Sequence, residues 1–428
     1  MSVTSEIREF TPARLRSLAT GFAGVHTLNA GLTILYSLAQ TLVFARVMDH
    51  RLYSMTVTAT AIGLFLLPLN QSVARANFVV LREKAVRTSD RGSPEAACAF
   101  NLNQLILILI PLIAPLALGV ANGVEYVTFV LYLFFTAYSN IWYFEIQMSM
   151  MAVDQALPFE RLSFIRRVTT YATLVFLLKT HDFFTTTIML AVQTLLFHLI
   201  VTLKMARGWG LFDWPRGLTT VGVKRHLVRL WVSLQATGAE WLTLNAPYAI
   251  FVARFGVGPG VVTIDAVLKL LRIVVSVTRN LSEIALPRVS RAILMGDAHR
   301  GRLPVILAIA GGAVAALTGG VMVMVFERFS FGLLLGPNNV VPHGAGAPAA
   351  LALLAGVGIA TGGHIIGHSG DHRSIPVLLT TSIVAVAGFG VYVLVAQPDI
   401  VQALWAASIS LSVISAAALG LLVSILRR

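Results

Sequence analysis

Asp265, Lys269, Arg272, Ser276, Arg279 and Glu283 follow one another at gaps of 4, 3, 4, 3 and 4 residues in a run otherwise rich in Val, Leu and Ile. Such gaps draw one stripe down one face of a helix. Arg and Lys on a shared face can hold an anion, and the Arg fork suits phosphate or carboxylate oxygens. If the run crosses a bilayer, each charge at its centre costs about 2.5–3.5 kcal/mol. Five charges turned to lipid then cost on the order of 10–15 kcal/mol, less what the end residues recover by snorkelling. Pairing within the helix, Asp265 with Lys269 and Arg279 with Glu283, returns only a few tenths of a kcal/mol per pair. It also leaves Arg272 unmatched. The stripe therefore reads as the wall of a wet pathway, with Arg272, Lys269 and Arg279 as anion-binding residues and Asp265 and Glu283 as ion-pair partners.

A neighbouring apolar run carries Gln235, Glu240 and Asn245. Glu240 has two readings: an ion-pair partner of Arg272 or Lys269, or a carboxyl that titrates and couples transport to protons. Asn245, Ser276, Asn29 and Asn70 are expected to line a cavity. His26 reads as a hydrogen-bonded packing residue and Arg75 as a side chain snorkelling near a helix end. Glu145 and Gln147 read as interfacial. His364 and His368 lack the carboxylate or cysteine a zinc site needs, and no phosphate-binding loop is present. No metal or cofactor is expected. The glycine pairs at 311–312, 319–320 and 362–363 fit close helix packing. Cys98, the single cysteine, excludes an intramolecular disulfide and reads as a small buried side chain.

The elements that must position these residues follow from composition. The 428 residues are 57% hydrophobic and 12% charged, with a mean hydropathy of +0.80. Soluble domains carry about twice that charge. A helix crosses a bilayer in about 20 residues, so the chain has room for about twelve spans. The predicted spans are 21–45, 53–74, 98–120, 125–148, 163–180, 183–203, 229–252, 258–285, 303–326, 345–367, 374–396 and 399–425. Period-two alternation is missing, which excludes a strand barrel. Of the 32 Lys and Arg residues, 24 fall on the side shared by both termini, five on the other side and three inside the eighth span. That asymmetry places both termini in the cytoplasm. The +13 charge thus belongs to cytoplasmic loops facing lipid headgroups, and no nucleic-acid partner is expected.

The chain also repeats. Phe44-Ala45-Arg46 matches Val252-Ala253-Arg254, and FVVLREK at 78–84 matches LPRVSRA at 286–292, both at an offset of 208 residues. The expected fold is all-α and polytopic, in two six-helix lobes related by parallel pseudo-symmetry. Its parts are a cytoplasmic N-terminal segment at 1–20, an N-terminal lobe at 21–203, a cytoplasmic crossover linker at 204–228 and a C-terminal lobe at 229–428. The linker, with Trp209, Trp214 and Lys224-Arg225-His226, suits the headgroup level and can end in a short interfacial helix.

FVARFGVGP, the polar-striped helix after it and the exit LPRVSRAILMGD resemble the Wzx-type oligosaccharide flippases of the multidrug/oligosaccharidyl-lipid/polysaccharide exporter superfamily. TLVFARVMDHRLYSM and FVVLRE carry the resemblance more loosely into the first half. It implies two lobes around a central cavity, alternating access, and a polyprenyl-diphosphate-linked oligosaccharide as substrate in a bacterial inner membrane. Membrane lipids and glycan-assembly proteins are the implied partners, and Lys269, Arg272 and Arg279 are the positions that would meet the diphosphate. The first span departs from the pattern in having no mid-membrane Arg. A cation-coupled drug or metabolite antiporter of the same superfamily is the nearest rival. A membrane polymerase or glycosyltransferase, the enzyme alternative, would need a larger outer loop than 327–344.

Overall fold

The computed structural model describes residues 21–48, 67–87, 123–140, 142–204, 220–255, 259–335, 341–369 and 373–427, with a few positions between 52 and 59, between 109 and 113, and at 371. Most of the third predicted span, residues 1–20 and residues 205–219 lie outside them. The described residues fold into helices: α1 Phe22–Val47, α2 Leu67–Arg87, α3 Gly123–Asn140, α4 Trp142–Ala152, α5 Ala156–Thr180, α6 Phe183–Lys204, α7 Thr220–Phe255 and α8 Pro259–Leu294. They continue as α9 Arg302–Val325, the short α10 Glu327–Leu335, α11 Gly346–Ser369, α12 Ser374–Val391 with a wider π-type turn Tyr392–Ala396, and α13 Ile400–Ile425. Five of these stretches are long and apolar enough to cross a membrane on those criteria alone: Phe183–Val201, Ala298–Val325, Gly346–Ser369, Ser374–Ala396 and Ile400–Ile425. The chain is an all-helical polytopic membrane protein.

Two helices differ from expectation in length. α7 and α8 each run 36 residues, about 54 Å at 1.5 Å per residue, against a hydrocarbon core of about 30 Å. Their polar residues did not break them, because a charge on a helix face leaves the backbone hydrogen bonds intact. Residues 220–228, read as the end of a linker, are the first turns of α7. α2 likewise continues to Arg87 through a stretch read as a basic loop. α8 ends at Leu294, and just past it Gly296 has a φ of +72°, which suits a residue without Cβ.

The chain divides into two compact units, one of residues 1–70 and 91–218 and the other of residues 71–90 and 219–428. In the first, α1 packs on α5, and α6 on α3 and α5. An aromatic core of Phe44, Tyr132, Phe135 and Phe183 fills it, with the Gln40 amide donating to the Tyr132 hydroxyl at 2.5 Å. In the second, α11 is the central helix, packed by α8, α9 and α13, and nineteen of its 24 residues are buried. Its glycines permit this: a Cβ on Gly362 would stand 2.7 Å from the Ala418 Cβ and 2.9 Å from that residue's backbone. α7 packs mainly on α12.

Candidate functional site

The stripe on α8 is graded in exposure. Lys269, Arg272 and Ser276 are exposed, Asp265 and Arg279 are half-buried and Glu283 is buried. One helix face thus carries charge from an exposed part into a buried part, and each stretch solves its charge problem differently. At the exposed end Lys269 Nζ pairs with Asp265 at 2.6 Å. Arg272 donates from Nη2 to the Asn245 side-chain oxygen at 3.2 Å, and Asn245 donates to the Trp241 carbonyl at 2.9 Å. No carboxylate among the described residues pairs with Arg272.

At the buried end the arrangement is denser. Glu240 on α7 accepts from Arg75 Nη2 at 2.7 Å and also pairs with Arg279. Arg75 donates from Nη1 to Thr237 Oγ1 at 3.1 Å, and Ser72 donates to the same oxygen at 2.9 Å. Ser72 and Arg75 lie three residues apart on α2, and Thr237 and Glu240 three apart on α7, so each helix offers one matched face. Glu283 acts electrostatically on Arg279 in the same cluster. The partners of Glu240 are therefore Arg75 and Arg279, where the spacing pointed to Arg272 or Lys269. Arg75, expected to snorkel at a helix end, is 2% exposed. Two turns on, Arg82 is also buried and donates to Ser290 Oγ at 3.1 Å and to the Pro287 carbonyl. The 208-residue offset of the repeat aligns Arg82 with Ser290.

The remaining sequence candidates lie elsewhere. Asn70 is buried. Asn29 is buried in the first unit, where its amide donates to Glu160. Glu145 and Gln147, read as interfacial, are also buried. His26 is hydrogen-bonded, to Glu160. Glu160 itself was missed, because FERLSF looks like the polar edge of a span when only the apolar run after it is counted. His364 and His368 are buried, and His368 engages the His364 carbonyl at 2.7 Å. Among the described residues no three His, Cys, Asp or Glu side chains come together as a metal would require.

No protein-family model matches the chain, and no curated protein matches it. Solved structures do. The eukaryotic MATE transporter AtDTX14 is 13% identical with a TM-score of 0.68, over 96% of each chain. A MOP-superfamily transporter from Pyrococcus furiosus is 13% identical with a TM-score of 0.70, over 96% of this chain and 98% of that one. A MATE protein in complex with MaL6 is 11% identical with a TM-score of 0.71, over 96% and 99%. At such identities the likeness is one of architecture, and over nearly its whole length this chain has the fold of the MATE and MOP-superfamily transporters.

Proposed function

We propose that the chain is a flippase that carries a polyprenyl-diphosphate-linked oligosaccharide from the cytoplasmic to the outer leaflet by alternating access, for surface polysaccharide assembly. It would sit in a bacterial inner membrane with both termini in the cytoplasm, among membrane lipids and glycan-assembly proteins. The observation that carries this reading is the exposed guanidinium of Arg272 on a helix of bilayer length, held by a neutral Asn245. A charge so placed needs water or an anion. A diphosphate supplies the anion, with Lys269 one turn away and Arg279 two turns further along the stripe. Asn245 and Ser276 would hydrogen-bond the ligand beside them. The Pyrococcus furiosus structure is described under the words "reverse polarity of binding pocket suggests different function". Pockets of unlike charge on one fold are consistent with an anionic substrate here.

A cation-coupled drug or metabolite antiporter is equally compatible with the fold, which is that of MATE and MOP-superfamily transporters. The two readings separate on Arg272. In cells whose only flippase is this chain, R272A is expected to abolish surface glycan at unchanged membrane insertion. R272K should restore part of it, since a point charge lacks the two-pronged contact. Full glycan export by R272A sinks the flippase reading. Drug efflux by the wild-type protein with no glycan export establishes the rival.

A further inference from the structure

A groove of about 520 Å³ runs between α12 and α13. Ala385, Gly388 and Phe389 on α12 line it, with Trp405, Ala406 and Ile409 on α13. Gly388, Trp405 and Ile409 are exposed, so it opens to the outside of the second unit. On α13 it extends from Gln402 to Val413, about 16 Å at 1.5 Å per residue. That is about the depth of one leaflet, half of a hydrocarbon core of about 30 Å. Both walls belong to the leaflet opposite the C-terminus, because the groove occupies the first half of α13 and the second half of α12. Small residues between spans ordinarily bring backbones together. Here they do not. A Cβ on Gly388 meets nothing within 4 Å, although glycine inside a helix costs about 1 kcal/mol relative to alanine. α12 thus gives up helix propensity around a space that no protein atom fills. Open space lined by aliphatic and aromatic carbon, at this depth in a membrane span, fits a hydrocarbon chain.

A cation stands at the end where the two walls join. Residues 397–399 connect them, and Gln397, left-handed at a φ of +50°, presents its carbonyl to Arg254 Nη2 at 3.2 Å. Arg254 lies in the last turn of α7. One turn before it, the Phe251 ring packs at 6.3 Å on Phe389, a lining residue of the groove. The Arg254 guanidinium lies 5.2 Å from the Phe255 ring centroid. No carboxylate among the described residues pairs with it, and its Nε has no hydrogen-bond partner there. Asp399, the acid on the same connection, is engaged in capping α13, where it accepts from the Gln402 amide at 2.8 Å. Of the five N–H donors of a guanidinium, Arg254 thus uses one, on a neutral carbonyl. The others suit the oxygens of a phosphodiester. Tyr392 and Gln402 give the groove polar tips at this same end, and amphipathic rings such as that of Tyr392 belong at the membrane–water boundary.

We propose that the groove binds one glycerophospholipid of the leaflet opposite the C-terminus, with an acyl chain between α12 and α13 and the phosphodiester on Arg254. The lipid ties the end of α7 to both walls, and its binding is independent of what the protein transports. Gly388→Phe puts a ring into the groove from a position where the protein offers no obstacle. Gly420, exposed in the other half of α13 and equally open, supplies the control Gly420→Phe. Purified full-length wild type and G420F should each retain one palmitoyl-oleoyl-phosphatidylglycerol in native mass spectrometry. Added lipid should raise their thermal unfolding temperature to a plateau. G388F should bind that lipid about tenfold more weakly and lose the rise. R254Q should also bind it about tenfold more weakly, yet bind dioleoylglycerol, which lacks the phosphate, as wild type does. G388F binding as tightly as G420F overturns the groove, and R254Q binding as tightly as wild type overturns the phosphate contact. A second measurement does not depend on how G388F folds. Phosphatidylglycerol brominated on its acyl chain should quench the tryptophan fluorescence that W405F removes, and an unquenched Trp405 overturns the site. Preferential retention of decaprenyl phosphate from an equimolar mixture would assign the groove to a prenyl chain and overturn phospholipid as its occupant.

Discussion

A carboxylate shared by a buried and a half-buried arginine fixes which substitution does most harm. Replacing Arg75 leaves Glu240 with Arg279, a balanced pair. Replacing Glu240 leaves two guanidiniums facing each other, one of them on a side chain 2% exposed. Breaking a buried pair from one side costs about 3–5 kcal/mol. E240Q is therefore expected to lower thermal stability in detergent by more than R75Q or R279Q alone. The double variant E240Q/R75Q should recover part of the loss, and an E240Q protein as stable as R75Q would count against the shared cluster. Outside the membrane segments, Glu327 on α10 follows another logic. Burial pushes its carboxyl up, but His343 at 3.1 Å and the amides of Gly344 and Gly346 outweigh it and hold the carboxyl below its ordinary value. A depressed pKa stabilises the loop above the unfolded-state value, and that contribution is lost as pH falls through the folded-state value. Protection of the Gly346 amide from hydrogen exchange, corrected for intrinsic rates, should fall on acidification in wild type and stay level in E327Q. What the sequence disclosed at this scale was the stripe, because its spacing is local. Arg75 and Glu160 were misjudged or missed because their partners stand 165 and 134 residues away, and spacing along one helix says nothing of that.

At the scale of the element, glycine separates positions that look alike in sequence. Gly362 and Gly363 are neighbours in α11, yet a Cβ on the first meets Ala418 and a Cβ on the second meets nothing within 4 Å. Gly362→Ala should cost about 1–3 kcal/mol by overpacking. Gly363→Ala should be neutral, or stabilising by up to about 1 kcal/mol through helix propensity. Thermal unfolding of the two variants checks this, and equal shifts would remove the case for close packing at Gly362. The sequence indicated that such glycines serve packing, but which of a pair touches a neighbour depends on helix rotation. Helix ends were harder to read than helix interiors. α2, α5 and α7 all extend past the apolar windows that announced them, because a polar face against protein permits helix where a polar face against lipid does not.

For the whole molecule, hydropathy and length were enough to reach an all-helical membrane architecture, since a bilayer admits few others. Orientation follows from Lys and Arg placement, and it predicts that a reporter active only outside the inner membrane, fused after Arg428, stays silent. Activity of that fusion would reverse the assignment. The burial of α11 bears on how such a chain is made. Its segment is long and apolar enough to cross a membrane, yet nineteen of its 24 residues are buried against protein. One of its principal neighbours, α13, leaves the ribosome after it. During synthesis α11 must wait with its glycine face, Gly358 and Gly362, against acyl chains, and only the arrival of Ser415, Ala418 and Leu419 lets helix exchange lipid for protein. The packing of α11 is therefore completed only once α13 has emerged, and a chain that stops short of residue 400 would present to quality control a membrane-inserted helix without its neighbour.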